Sequence, residues 1–109
     1  MPNQNSVLVV IPAFNEQYAI ASTVQTVLRA AVASARTVEL LLIDDGSEDA
    51  TGRIMDELAV NHSSVTVRHN DCPQGLHRIF LSGLEFAKTD YMTVIPGNDS
   101  FAETGIEGM

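Results

Sequence analysis

The sequence predicts an α/β domain: a mostly parallel sheet in βαβαβαβ order, with helices on both faces. Three observations carry this. Short aliphatic runs alternate with longer stretches of helical periodicity, which is the pattern of right-handed strand-helix-strand crossovers. One run, Leu40-Leu41-Leu42-Ile43, is apolar at every position, as a strand covered on both faces must be. That same run leads directly into Asp44-Asp45-Gly46-Ser47, so a buried strand delivers carboxylates to its carboxyl end.

Taken in order, Val7-Leu8-Val9-Val10-Ile11 reads as the first strand, with Pro12 expected to stop it because proline cannot donate to a ladder. Pro12 to Glu16 is the crossover, with Asn15 as the expected cap of a helix. Ile20, Val24, Val27, Leu28 and Ala31 recur at helical spacing, so that helix faces the sheet and reaches about Ser34. Val38 to Ile43 is the second strand. Gly46 allows a sharp turn after it, and Ser47 or Asp49 can accept from the free amides of the next helix. From Ala50 to Asn61 the apolar Ile54, Met55, Leu58 and Ala59 share one face, opposite Arg53, Asp56 and Glu57.

Val65 and Val67, alternating with Thr66 and Arg68, predict a half-exposed edge strand, and His69 to Gly75 reads as loop. Leu76, Ile79, Phe80, Gly83, Leu84 and Ala87 then form the clearest amphipathic stripe, in which Gly83 permits close approach to the sheet. Tyr91 to Ile95 is the fourth strand, stopped by Pro96-Gly97, with Asn98, Asp99 and Ser100 following and then a tail without core signal.

Length and composition restrict the function classes. The 109 residues, 45% of them hydrophobic, suit one domain over 1–109 rather than two. Fourteen acidic residues against six basic ones, a formal charge of −8, leave no Lys/Arg patch for phosphates, so no nucleic-acid partner and no anionic membrane surface is expected. Cys72 has no second Cys for a disulfide and no paired His spacing for zinc, which predicts a free thiol in a reducing compartment. No apolar run reaches the length of a signal-peptide core or a membrane span. The domain is accordingly expected to be soluble and cytoplasmic, any membrane anchor belonging to a longer parent chain.

The loops leaving strands one, two and four should emerge on one edge, where Pro12 to Glu16, Asp44 to Ser47 and Asn98 to Ser100 would gather acidic and amide groups suited to a sugar, a base or a divalent cation. Asp-Gly-Ser is also ordinary turn chemistry. A turn needs only one such Asp, however, and two adjacent anions repel, which a bound cation or ligand donors would relieve. A receiver-type signalling domain would want its acidic pair after strand one, here Pro12-Ala13. A dinucleotide-binding domain would want Gly-x-Gly-x-x-Gly there, and the sequence has none.

At Val10-Ile11-Pro12-Ala13-Phe14-Asn15-Glu16, at Leu42 to Thr51, and at Asn70 with Gly75-Leu76 and Gly83, the chain resembles the family-2 glycosyltransferases of the Rossmann-like GT-A fold. The resemblance is strongest to the branch that includes dolichyl-phosphate mannose synthase and polyprenyl-phosphate glucosyltransferases. It implies a UDP- or GDP-sugar donor held by Pro12, Ala13, Phe14, Glu16 and Asp45, with Asp45 accepting from the base; Asp44 and Gly75 are counted with the donor side, as is Arg78, which in a stretch that departs from the family is placed to meet a phosphate. Glu16 has a second reading as a first-turn residue favoured by the helix dipole. The resemblance also implies hexosyl transfer to an acceptor such as polyprenyl phosphate, and Mg²⁺ or Mn²⁺ bridging the donor diphosphate.

Two departures stand out. Where the family has Asp-x-Asp, this chain reads Pro96-Gly97-Asn98-Asp99, so Asn98 falls on the metal-ligand position and Asp99 one residue later; the anionic Asp99 is the better ligand. His77 and Ile79 replace small residues and would narrow the donor pocket, although His77 also reads as an ordinary surface histidine. Family members continue into an acceptor half that carries the catalytic base, so no catalytic residue is expected before Met109. The chain then reads as the donor half, with the apolar face of strand four and of the helix from Gly75 to Lys88 left for homo-oligomerisation or a partner. The alternative is a non-catalytic nucleotide-binding or assembly module.

Overall fold

The structure is a computed structural model that describes residues 6–34, 36–89 and 91–98. Its elements are β1 (Val7–Ala13), α1 (Ile20–Ser34), β2 (Val38–Asp45), α2 (Thr51–Asn61), β3 (Val65–Asn70), α3 (Leu76–Phe86) and β4 (Tyr91–Val94). The sheet has four strands in the order β3-β2-β1-β4, and every pairing is parallel.

This order places the helices. From β1 to β2 to β3 the chain steps in one direction, and right-handed crossovers put α1 and α2 on the same face. From β3 to β4 it steps back past β2 and β1, so the same handedness sends α3 to the opposite face. Strand period then divides the core. Val9, Ile11, Leu40, Leu42 and Val65 pack against Ile20, Val24 and Val27 of α1 and Met55 and Leu58 of α2. Leu8, Val10, Leu41 and Ile43 face α3, which contributes the buried Ile79. Gly83 lets α3 come close to the sheet: a Cβ there would lie 2.9 Å from Val10 Cγ2 and 3.0 Å from Met92 Sδ.

β4 stops at Val94, one residue short of the expected Ile95, and four other boundaries differ from the sequence reading. β1 runs through Pro12 to Ala13. The Pro12 carbonyl accepts from the Gly97 amide on the β4 side, and the missing Pro12 N–H faces that same side, beyond the last residue of β4, so β2 pairing is unharmed. Asn15 does not cap α1, which begins at Ile20; it sits at φ 54 and turns its side chain to the neighbouring loop. β2 includes both Asp44 and Asp45. His69 and Asn70 are strand rather than loop, because they pair in register with those two aspartates.

β4 forms the second sheet edge among the described residues, and the groove beside it is apolar. Pro12, Leu76, Phe80, Met92, Thr93, Val94 and Pro96 line about 510 Å³ there. Leu76, Phe80 and Leu84 of α3 are exposed, in line with the expected uncovered face. Among the described residues no helix is long and apolar enough to cross a membrane.

Candidate nucleotide-binding edge

The switch in crossover direction occurs between β1 and β4, and the crevice at the carboxyl ends of such strands is where open α/β sheets take ligands. Asp44 and Asp45 end the neighbouring strand. Alternation along β2 sends them to opposite faces, and each builds a separate junction.

Asp44, buried on the α1/α2 face, accepts the Ser47 amide on Oδ1 at 2.9 Å and meets His69 Nδ1 through Oδ2 at 2.9 Å. The other ring nitrogen of His69 lies 2.8 Å from Asp56 Oδ1 on α2. Gly52 is what admits the pair beneath α2, since a Cβ there would fall 2.5 Å from Asp44 Oδ2. Hydrogen bonding to Asp44 first, and to Asp56 second, raises the His69 pKa above its usual 6.5.

Asp45 faces the α3 side and gathers the chain leading into α3. Its Oδ1 accepts from Asn70 Nδ2 at 2.9 Å and the Gln74 amide at 2.8 Å, and its Oδ2 accepts from the Gly75 amide at 3.3 Å. Burial alone would raise its pKa; the donors from Gln74, Asn70 and Gly75 outweigh that and hold it below the usual 3.8. Gly46, at φ 81, lets the strand turn while Cys72 and Pro73 cross it: a Cβ on Gly46 would lie 2.8 Å from the Cys72 carbonyl carbon and the Pro73 nitrogen. His69 and the protein's own donors thus each offset one of the two carboxylates.

The β1–α1 and β2–α2 loops are bonded to each other. The amides of Asn15, Glu16 and Gln17 donate to Ser47 Oγ, Thr51 Oγ1 and Asp49 Oδ2, at 2.9, 2.8 and 3.2 Å. In return the Glu48 and Ala50 amides donate to Asn15 Oδ1 and Gln17 Oε1. Asp49 also takes the Thr51 amide, as the sequence suggested, whereas Ser47 serves Asn15 instead of a helix. Burial would raise the Asp49 pKa, but the Thr51 hydroxyl and amide and the Gln17 amide lower it below 3.8.

Of the sequence-selected residues, Pro12 and Ala13 sit at the end of β1, with Ala13 in register with Asp44. Phe14 is exposed, and the half-buried Glu16 contributes its backbone to the loop network. Gly75 is exposed at φ 85, with nothing within 4 Å of where a Cβ would stand, so conformation rather than crowding demands glycine. Arg78 is exposed in the first turn of α3. The Gly97 amide donates to the Pro12 carbonyl at 3.0 Å, and a Cβ on Gly97 would fall 2.9 Å from Ala13 Cβ, which brings Asn98 beside the end of β1; Asp99 lies outside the described residues. Among the described residues no three His, Cys, Asp or Glu gather to hold a cation, and Asn98 alone offers only a neutral amide oxygen. The sequence reading missed His69, Thr51 and Gln74. Only the spacing of β3 against β2, which pairs His69 with Asp44, could have pointed to the first.

The model described as glycosyl transferase family 2 matches residues 8–109. The chain is 29% identical over 99 residues to glycosyltransferase GlyG of Streptococcus pneumoniae, covering 91% of this chain and 32% of that protein. It is 36% identical over 86 residues to polyprenol monophosphomannose synthase of Mycolicibacterium smegmatis, covering 78% of this chain and 31% of the relative. The undecaprenyl-phosphate 4-deoxy-4-formamido-L-arabinose transferase of Shewanella sediminis is 30% identical over 99 residues, with 85% and 29% covered. The chain thus spans about a third of the length of these relatives. Among solved structures, the Pyrobaculum calidifontis mannosyltransferase PcManGT in complex with GDP-Man and Mn²⁺ superposes with TM-score 0.71 at 17% identity, over 90% of this chain and 28% of that one. S. aureus TarS superposes with TM-score 0.68 at 15% identity, over 90% and 30%. These likenesses show the GT-A fold, and the match across residues 8–109 shows that the chain belongs to glycosyl transferase family 2.

Proposed function

We propose that the chain binds the nucleotide-sugar donor, a UDP- or GDP-sugar, of a glycosyltransferase that passes a hexosyl group to a lipid phosphate such as polyprenyl phosphate. The observation that carries the reading is Asp45. Its carboxylate uses three of about four acceptor positions on Asn70, Gln74 and Gly75, leaving one for a ring N–H beside the open space at Gly75. Pro12, Ala13, Phe14 and Glu16 form the neighbouring wall, Asp44 supports it from beneath, and Arg78 meets a phosphate. A divalent cation, Mg²⁺ or Mn²⁺, belongs to the same proposal, with Asp99 favoured over Asn98 as its protein ligand. The names of the relatives and the GDP-Man in the solved neighbour support donor and acceptor class. In this reading a longer parent protein supplies the acceptor side, at the cytoplasmic face of a membrane.

The test is calorimetric titration with UDP-glucose, UDP-N-acetylglucosamine and GDP-mannose, with and without Mn²⁺, for the parent and for Asp45→Ala. The substitution is expected to cost about 1.5–3 kcal/mol of binding, the worth of a charge-assisted hydrogen bond. Equal affinities would remove Asp45 from base recognition, and no binding of any donor would remove the reading itself. A second reading, a non-catalytic binding or assembly module, is favoured by the apolar groove beside β4. Donor binding without lipid-linked sugar, by a chain whose light-scattering mass exceeds a monomer, would select it.

A further inference from the structure

Both ring nitrogens of His69 face carboxylate oxygens, Nδ1 to Asp44 at 2.9 Å and Nε2 to Asp56 at 2.8 Å. A neutral imidazole carries one N–H, so one of these contacts would set a lone pair against an anion; only the imidazolium satisfies both. Asp44 comes from β2 and Asp56 from α2, and they are the titratable groups that face the ring. Gly52, the other α2 residue against the ring, brings no charge.

The carboxylate held by this bridge begins a relay. Asp44 Oδ1 accepts from the Ser47 amide, Ser47 Oγ accepts from the Asn15 amide at 2.9 Å, and Asn15 Oδ1 accepts from the Glu48 amide at 2.8 Å. Asn15 stands at φ 54, in the left-handed region that asparagine tolerates better than most side chains, and its side chain and amide are both bonded to the β2–α2 loop. Its neighbours Phe14 and Glu16 are among the residues assigned to the donor.

We propose that His69 is a positioning residue for the donor site, its imidazolium bridging Asp44 and Asp56 so that the Asp44–Ser47–Asn15 relay keeps the β1–α1 loop in its binding conformation, and that donor affinity falls when the ring loses its proton. This rests on the nucleotide-sugar reading above. The sign follows from the two carboxylates: the bridge is complete at and below the usual histidine pKa of 6.5 and is lost as pH rises through the higher folded value. In this proposal His69 acts through Asp44, the carboxylate its Nδ1 meets.

The test follows the His69 ring resonances, the exchange of the Ser47 amide and the affinity for GDP-mannose and UDP-glucose from pH 6 to 9 in the parent, in Asp56→Asn and in His69→Gln. In the parent, affinity is expected to fall about tenfold, the equivalent of one charge-assisted bond, with a midpoint that follows the His69 titration. Asp56→Asn keeps an acceptor and removes a charge, so both midpoints move down together. His69→Gln, shown to be folded by circular dichroism, binds weakly at every pH without a midpoint. Affinity that stays flat while His69 titrates would overturn the proposal, as would a His69 titrating at or below 6.5. If neither donor binds at any pH, the donor reading falls by itself. Ser47 exchange then decides the bridge: protection lost along the His69 titration supports it, and unchanged protection overturns it.

Discussion

The two faces of the sheet are closed to different degrees. On one, α1 and α2 bury Ile20, Val24, Val27, Met55 and Leu58 over the strands, and Asp44 is tied to α2 through His69 and Asp56. On the other, α3 buries only Ile79 and Gly83, while Leu76, Phe80, Leu81 and Leu84 remain 66%, 44%, 41% and 49% exposed. Asp45 on that side is held by amides of a short loop rather than by an opposite charge. The same strand alternation has thus produced a face locked by packing and charge, and a face held by one helix and a few backbone donors. Local stability follows buried apolar contact, so the α3 side is expected to open first.

The sharpest way to break this comparison is a pair of truncations. Leu42→Ala, on the closed face, is expected to cost about 2–5 kcal/mol in urea unfolding, as buried leucines do. Leu84→Ala, on the α3 face, should stay within about 0.5 kcal/mol. Equal costs would mean that the two faces are equally closed.

A smaller effect separates two glycines along the Asp45 junction. Gly46→Ala must both strain a positive-φ backbone and displace Cys72 and Pro73, so a loss above about 3 kcal/mol is expected. Gly75→Ala meets open space and carries only the conformational penalty of a backbone at φ 85 and ψ 163, about 1–3 kcal/mol. Chemical unfolding of both variants measures the difference, and a Gly75 variant as damaged as the Gly46 variant would show that the 72–75 loop is held by something other than its contact with Gly46.

The smallest effect is the pH dependence, which has opposite sign on the two faces. The folded pKa of Asp45 lies below 3.8, so its contribution is present above that value and is lost as pH falls through the folded one. The folded pKa of His69 lies above 6.5, so its contribution is present below 6.5 and is lost as pH rises through the folded one. Hydrogen exchange should therefore show the Gln74 and Gly75 amides loosening first in acid, and Asp45→Asn should flatten that acid response. Acid loosening that persists in Asp45→Asn would assign it to another carboxylate.

Much of this arrangement was legible in residue pattern. The spacing of Ile20, Val24 and Val27, of Met55 and Leu58, and of Ile79 and Gly83 identified all three helices and their sheet-facing sides, because helical period is a local property of the chain. The boundaries failed where a local rule met a neighbouring strand. Pro12 looked like a stop until β4 was seen to end before reaching it. His69 and Asn70 looked like loop because polar residues at a strand end carry no apolar alternation, although their ladder to Asp44 and Asp45 is intact.

By itself the sequence determined the alternation of elements, the four-residue apolar center of β2 and the delivery of two carboxylates to its end, since each depends on neighbours along the chain. It could not determine what those carboxylates touch. That was decided by the parallel register that sets Asp44 opposite His69 and Asp45 opposite Asn70, and by the strand order that sends α2 and α3 to opposite faces. A hydrogen bond needs its partner within about 3 Å, and partners 25 residues apart in the chain come within that distance only when the sheet has assembled.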